Sequence, residues 1–101
     1  MENLGKKVIV RADRAGVFFG TLKEKTATSA GVEVVLENSR RLWYWSGAAS
    51  LSQLAVEGVK RPNDCKFTVT VAEHNVMGVI EIIPCTEQAV SNIESVRVWK
   101  C

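Results

Sequence analysis

Apolar and polar residues alternate in short segments along most of the chain, and turn-forming residues separate these segments. A period of two is typical of half-buried β-strands. The alternation predicts strands over residues 7–12, 16–25, 32–37, 40–45, 66–71 and 77–83, with a final strand over residues 96–100. We expect five to seven strands in total.

Several stretches between these segments are rich in small, polar or charged residues. Residues 27–31 (ATSAG) are typical of a hairpin turn. Glu37-Asn38-Ser39 is expected to break or turn the chain before the next strand. Residues 60–64 (KRPND) read as a charged loop, in which Pro62 restricts the path of the backbone. His74 lies between two predicted strands and is expected to be a turn residue.

Two helices are predicted from their caps. Ser50-Leu51-Ser52-Gln53 fits the capping box, in which a serine caps the helix and a glutamine reaches back. Leu51–Glu57 is therefore expected to be a short helix, which Gly58 can end in a left-handed conformation. Thr86 is expected to cap a second brief helix that runs to Asn92.

The strands mostly follow one another without an intervening helix, which favours antiparallel pairing. With 101 residues, of which 47% are apolar, the chain suits one domain with a modest core. We therefore expect residues 1–101 to form a single mainly β domain, either a small antiparallel sheet or a partly open barrel. Exposed strand edges would suit self-association, so a homo-oligomer is an expected form.

Charge and hydropathy narrow the classes of function. Thirteen Lys and Arg against eleven Asp and Glu leave a net charge of +2, which gives little support to a DNA-coating protein. No apolar run is long enough to span a bilayer, and no signal-peptide core follows the polar N-terminus. We expect no membrane partner and a cytoplasmic location.

The chain offers little for catalysis or for metal binding. Cys65, Cys85 and Cys101 are odd in number and contain no CxxC pair, so free thiols in a reducing compartment are expected. The spacing of His74 from these cysteines matches no zinc site. We find no paired acid and base, and we expect a protein that is not an enzyme and takes no metal or cofactor.

The densest chemical feature is the run RRLWYWSG over residues 40–47. On a strand, Arg41, Trp43 and Trp45 would project to one side, and Arg40, Leu42 and Tyr44 to the other. Guanidinium groups bind phosphate or carboxylate, and indole rings stack on bases. The alternative is that these aromatic residues mainly fill the core. The candidate ligand-binding residues are Arg40, Arg41, Trp43, Tyr44, Trp45, Ser46, Gly47 and Ser50.

Two features near this run add to the candidate site. Small residues from Ser46 to Ser50 lead into the capped helix and could leave backbone N–H groups free for an anion. Lys60, Arg61 and Lys66 form a secondary basic patch if the fold brings their loop beside Arg40 and Arg41. The alternatives are an ordinary strand-to-helix connection and a solvated loop.

Several longer sequence motifs resemble those of a known protein family, which indicates where the protein comes from. VIVRA, GVFFGTLKEK and VVLENSRRLWYWSGAASLSQLAVEGVKRPNDC, followed by KFTVTV and VIEIIPCTE, resemble a family of small uncharacterised proteins of tailed bacteriophages and prophages. The resemblance implies a viral protein that acts in the host bacterial cytoplasm and implies no specific chemistry.

Proteins of that origin commonly serve counter-defence or host takeover, so we expect a non-enzymatic binding protein. It would sequester a small nucleotide signal, or it would block a host defence protein through exposed Trp, Tyr and Arg side chains. The alternative is a small β-barrel that binds single-stranded nucleic acid.

Overall fold

Four antiparallel strands form a closed barrel in the computed structural model, which describes residues 3–101. Two short helices and one 3-10 turn complete the fold. In chain order the elements are β1 (Lys7–Ala12), β2 (Gly16–Thr28), β3 (Gly31–Tyr44), α1 (Leu51–Glu57), the 3-10 turn (Pro62–Asp64), β4 (Lys66–Pro84) and α2 (Glu87–Ser95). The prediction of a mainly β protein with one or two short helices is confirmed.

The barrel closes because β4 is long enough to pair with two partners. Its residues from Lys66 to Val79 pair with β3, and those from Val79 to Pro84 pair with β1. Gly78 has a φ of +72° at the point where β4 passes from one partner to the other. The four described strands therefore leave no open edge, and the argument for self-association from exposed edges does not apply.

Segments predicted as separate strands merge in the fold, so the expected count of five to seven strands was wrong. Asn38 has a φ of +52° and lies at a register shift between β2 and β3, so the predicted break is a bulge inside β3. His74 was predicted in a turn, but it lies within β4 and pairs with Leu36. Long-range strand pairing keeps both segments extended where local residue preferences favour a turn.

The strands bury residues on both of their faces. Val8 and Val10 of β1 face the barrel interior, whereas Ile9 lies in a second cluster with the helices. The interior cluster contains Val8, Val10, Ala12, Phe18, Leu22, Val34, Leu36, Val76 and Val79. The helix-covered cluster contains Ile9, Phe19, Leu42, Leu54, Ala55, Val59, Cys65, Phe67, Ala89, Ile93 and Val96. Burial on both faces explains the unbroken apolar run in β1.

The caps place both helices as the sequence predicts. Ser50 Oγ accepts a hydrogen bond from the Gln53 backbone N–H at the start of α1, and Thr86 Oγ1 accepts one from Ala89 at the start of α2. The second helix continues to Ser95, three residues beyond the expected end. Asn92 of α2 bonds both backbone groups of Val59, which fixes α2 against the end of α1.

The residues after α2 do not form the predicted strand. They run beside β4 and share one isolated parallel bridge with it, between Val98 and Phe67. We call residues 96–101 the C-terminal segment. Within residues 3–101, no helix has both the length and the apolar composition needed to span a membrane.

Candidate functional site

Two exposed indole rings stack on each other at the junction of β3 and the C-terminal segment. The ring centroids of Trp43 and Trp99 are 5.3 Å apart, and the rings are 13° from parallel. Trp43 is 59% exposed and Trp99 is 44% exposed. We call these two rings the indole pair. Large aromatic side chains that stay this exposed are typical of interaction surfaces.

A lysine ammonium group lies over both rings. Lys66 Nζ is 5.0 Å from the centroid of the Trp43 ring and 5.4 Å from that of Trp99. Lys66 is the first residue of β4 and pairs with Tyr44 at the end of β3, so the barrel itself sets its position. Among residues 3–101, no carboxylate forms an ion pair with Lys66. Its charge is therefore available to an anionic ligand.

An open groove of about 710 Å³ lies beside the indole pair. We call it the binding groove. It is lined by Tyr44, Ser46, Asn63, Asp64, Cys65, Lys66, Arg97, Val98, Trp99 and Lys100. Three of these side chains are cationic and one, Asp64, is anionic. The groove is therefore locally positive, although the net charge of the whole chain is only +2.

The C-terminal segment supplies one wall of this groove and is anchored at several points. Val96 is 3% exposed and packs in the helix-covered cluster. The Trp99 backbone N–H donates to the Phe67 carbonyl at 2.8 Å. Together with the indole stack, these contacts hold Arg97, Trp99 and Lys100 beside β4.

The fold brings part of the predicted site together. Trp43, Tyr44, Ser46 and Lys66 all lie in or beside the binding groove. Trp45 instead packs against the helix-covered cluster and is only partly exposed. The expected grouping of Trp45 with Trp43 on one face was therefore wrong, since the regular strand ends at Tyr44.

The connection from β3 to α1 and the basic loop do meet in space. The Lys60 N–H donates to the Gly47 carbonyl at 3.2 Å, and a Cβ on Gly47 would lie 2.7 Å from the Arg61 nitrogen. Gly47 is thus needed for a close backbone approach. Ser50 caps α1 with its side chain, so its hydroxyl is already engaged.

Arg40 does not belong to the binding groove. It is 5% exposed, and its guanidinium donates to the backbone carbonyls of Thr68, Ile93 and Phe67. Burial lowers its pKa. Arg40 and Leu42 share the helix-covered face, as the alternation predicts, and α2 packs against this face.

Arg41 also lies away from the groove. Its guanidinium lies 4.5 Å from the centroid of the Phe18 ring and donates to the Ala15 carbonyl. His74 packs against the same ring and bonds Ser39 Oγ through Nδ1 at 3.1 Å. Burial, together with the positive charge of Arg41, lowers the pKa of His74. The adjacent arginines therefore occupy opposite faces of β3 and form no joint anion clamp.

Two of the three thiols, those of Cys65 and Cys85, are poorly suited to nucleophilic chemistry. Burial raises the pKa of Cys65, which faces the groove and accepts a hydrogen bond from the Ser46 N–H at 3.4 Å. Burial raises the pKa of Cys85 to about 11. No group of three His, Cys, Asp or Glu side chains within residues 3–101 is arranged to hold a metal. What the groove offers is stacking and positive charge, which suit binding.

Seven of the ten groove-lining residues, among them Arg97, Trp99 and Lys100, were missed as site residues. Arg97, Trp99 and Lys100 appeared in the sequence only as part of a final strand. The run RVWK does place two cations beside an indole, the same combination as in residues 40–47, and this repeated composition was the available signal.

Comparison with known proteins identifies a family. The model of a domain of unknown function (DUF6948) matches residues 5–93, so the chain belongs to this family. No curated protein and no solved structure matches the chain. All four strands and α1 lie within the matched residues, and α2 extends two residues beyond them. Arg97, Trp99 and Lys100 follow the matched residues.

Proposed function

We propose that this DUF6948 protein is a non-enzymatic binding protein that holds a nucleotide in the binding groove. One observation carries the proposal: the Lys66 ammonium group, which has no ion-pair partner among residues 3–101, lies over two exposed indole rings beside a cationic groove. A nucleotide presents a planar base and an anionic phosphate, and these two features match stacking rings and nearby cations.

Each part of the ligand has a candidate partner. The exposed rings of Trp99 and Tyr44 offer faces for the base, and such stacking is worth about 1–3 kcal/mol per base. Arg97, Lys100 and Lys66 offer cationic donors for the phosphate. The groove volume of about 710 Å³ is of the size that small-molecule sites commonly have.

The cation–π contacts of Lys66 favour binding for a further reason. They hold its ammonium group near the groove before any ligand arrives. A side chain that is already ordered loses less conformational freedom on binding. The strand pairing of Lys66 with Tyr44 adds to this preorganisation.

We further propose that the protein is encoded by a tailed bacteriophage or prophage and acts in the host bacterial cytoplasm. Its role would be counter-defence or host takeover, by lowering the free concentration of a nucleotide signal. The motif resemblance described above supports this role. In bacteria that carry a nucleotide-signalling defence system, co-expression of the wild-type protein should restore phage plaque formation. Co-expression of the Lys66→Gln variant should not restore it. Equal restoration by both proteins would contradict the proposal.

A second candidate is binding of single-stranded nucleic acid. The open groove and the exposed indole pair on a small closed barrel favour it, because a strand could leave the groove at either end. Affinity for an oligonucleotide should then exceed that for a mononucleotide and fall steeply with salt. The remaining outcome of the binding experiments is that the protein blocks a host protein. It would then be found in a stable complex with that protein and without a small ligand.

The decisive experiment is titration with mononucleotides, followed by tryptophan fluorescence and native mass spectrometry. Lys66→Gln and Trp99→Ala should each weaken nucleotide binding by about tenfold or more. The first removes a charge-assisted contact, and the second removes a stacking face. Lys25→Gln and Met77→Ala are matched controls, since both residues are exposed outside the groove. Folded groove variants that keep full affinity would refute the site.

A further inference from the structure

A second cavity lies against the C-terminal segment and shares Arg97 and Val98 with the binding groove. Its volume is about 330 Å³. Arg40, Lys7 and Thr70 line it from the strands, and residues at the end of α2 complete it. Three of its lining side chains, Arg40, Lys7 and Arg97, are cationic.

Arg40 is a buried positive charge. Its three nitrogens donate to the carbonyls of Thr68 at 3.0 Å, Ile93 at 2.9 Å and Phe67 at 3.5 Å. A guanidinium carries five N–H groups, so these three bonds do not use all of its donors. Among residues 3–101, no carboxylate forms an ion pair with it.

The acidic residue in this cavity is already engaged. Glu94 pairs with Lys7, with 3.2 Å between the Nζ and Oε2 atoms. Carbonyl dipoles offset only part of the free energy that burying a cation costs. An anion that entered the cavity would supply the missing charge. Thr70 and Asn38 would add polar contacts from the strands.

We infer that this cavity is a second anion-binding site, which takes a phosphate group beside Arg40. Arg97 borders both sites, so the phosphate has two possible sources. It is free phosphate, or it is a second phosphate group of a nucleotide seated in the binding groove. The chemistry of recognition is the same in both cases.

Titration of the 15N-labelled protein with inorganic phosphate tests the site directly. The Nε–H of Arg40 is held by the Thr68 carbonyl, so its NMR signal reports on the cavity. We expect this signal to shift on titration with inorganic phosphate, or with a nucleoside diphosphate if the phosphate comes from the groove ligand. If neither ligand shifts it, the inference is wrong.

A charge-placement variant gives a second test. Thr70→Glu puts a carboxylate at the cavity, whereas Ser29→Glu adds the same charge at an exposed position in the turn between β2 and β3, outside the cavity. Thr70→Glu should weaken phosphate binding about tenfold and raise the melting temperature relative to Ser29→Glu, because it neutralises Arg40. Equal affinities and equal melting temperatures of the two variants would overturn the site.

The inference can fail separately from the proposed function. Lys66→Gln removes a cation from the binding groove only, so the phosphate-induced shift at Arg40 should remain in this variant. If mononucleotides bind the groove and the Arg40 signal never moves, the nucleotide proposal stands and the second site does not.

Discussion

A single added methyl group at Gly58 should strongly disturb the packing of the two helices. It ends α1 with a φ of +80° and a ψ of −156°, a region that glycine alone adopts readily. A Cβ at this position would lie 2.3 Å from Asn92 Oδ1. That oxygen accepts a hydrogen bond from the Val59 N–H at 2.7 Å, and Asn92 Nδ2 donates to the Val59 carbonyl at 2.9 Å.

The expected cost of Gly58→Ala has two parts. Backbone strain of a residue with Cβ in this region costs about 1–3 kcal/mol. Displacing Asn92 breaks two hydrogen bonds to Val59, each worth about 1 kcal/mol. The sum is roughly 3–5 kcal/mol, which is a large fraction of the ~5–15 kcal/mol by which a domain of this kind is stable.

Gly5→Ala is the matched control. Gly5 has a φ of +82°, and its added Cβ would meet no atom within 4 Å. It should therefore show the strain without the clash, with a loss of about 1 kcal/mol. The double variant Gly58→Ala/Asn92→Ala lacks the clash. Its loss of stability should therefore be smaller than the sum of the losses of the two single variants.

Urea unfolding followed by circular dichroism measures the stability of all five proteins: the wild type, the single variants Gly58→Ala, Gly5→Ala and Asn92→Ala, and the double variant. The reasoning is refuted if Gly58→Ala loses no more stability than Gly5→Ala. It is equally refuted if the Asn92 substitution adds its full cost on top of the glycine substitution, because the two residues would then act independently.

Three further predictions concern a cap, a thiol and an imidazole. Ser50→Ala should lower the free energy of unfolding by about 1 kcal/mol, because Ser50 Oγ caps α1; an unchanged urea midpoint would contradict this. At about pH 8, iodoacetamide should label exposed Cys101 well before Cys85, whose pKa burial raises to about 11; mass spectrometry of the digested protein would show the reverse order if the reasoning is wrong. Burial and the positive charge of Arg41 lower the pKa of His74 below 6.5, so the folded state favours the neutral imidazole. The resulting contribution to the free energy of unfolding is present above pH 6.5 and is lost as the pH falls below it. The melting temperature should therefore drop less between about pH 7 and 5.5 in His74→Gln than in the wild type; an equal drop would exclude His74 as the cause.

Features that depend on neighbouring residues could be predicted from the sequence. The bounds of α1 were predicted correctly because its capping serine and closing glycine lie within a few residues of the helix. The strand at Lys7–Ala12 was predicted with the correct bounds for a similar reason. Local signals failed at Asn38, since an asparagine with a positive φ serves equally in a turn and in a bulge.

The candidate site depended on contacts between distant parts of the chain. The alternation of Arg40 and Arg41 showed that they face opposite ways, but it did not show that α2 would cover the face of Arg40. Trp99 meets Trp43 only because the C-terminal segment returns along β4. Neither contact can be predicted from the residues that surround it in the chain. The sequence therefore identified Trp43 and Lys66 as candidate site residues but missed their partner Trp99.

The pairing of β1 with the last part of β4 has a consequence for how the protein is made. During synthesis β1 emerges first and can pair with β2 soon afterwards, but its other edge stays open until residues 79–84 have left the ribosome. Contacts between residues so far apart in the chain carry a large entropic cost of loop closure and form slowly. The nascent chain therefore exposes the apolar edge of β1 for most of its elongation, which makes this stage the one most open to wrong strand pairing and to chaperone binding.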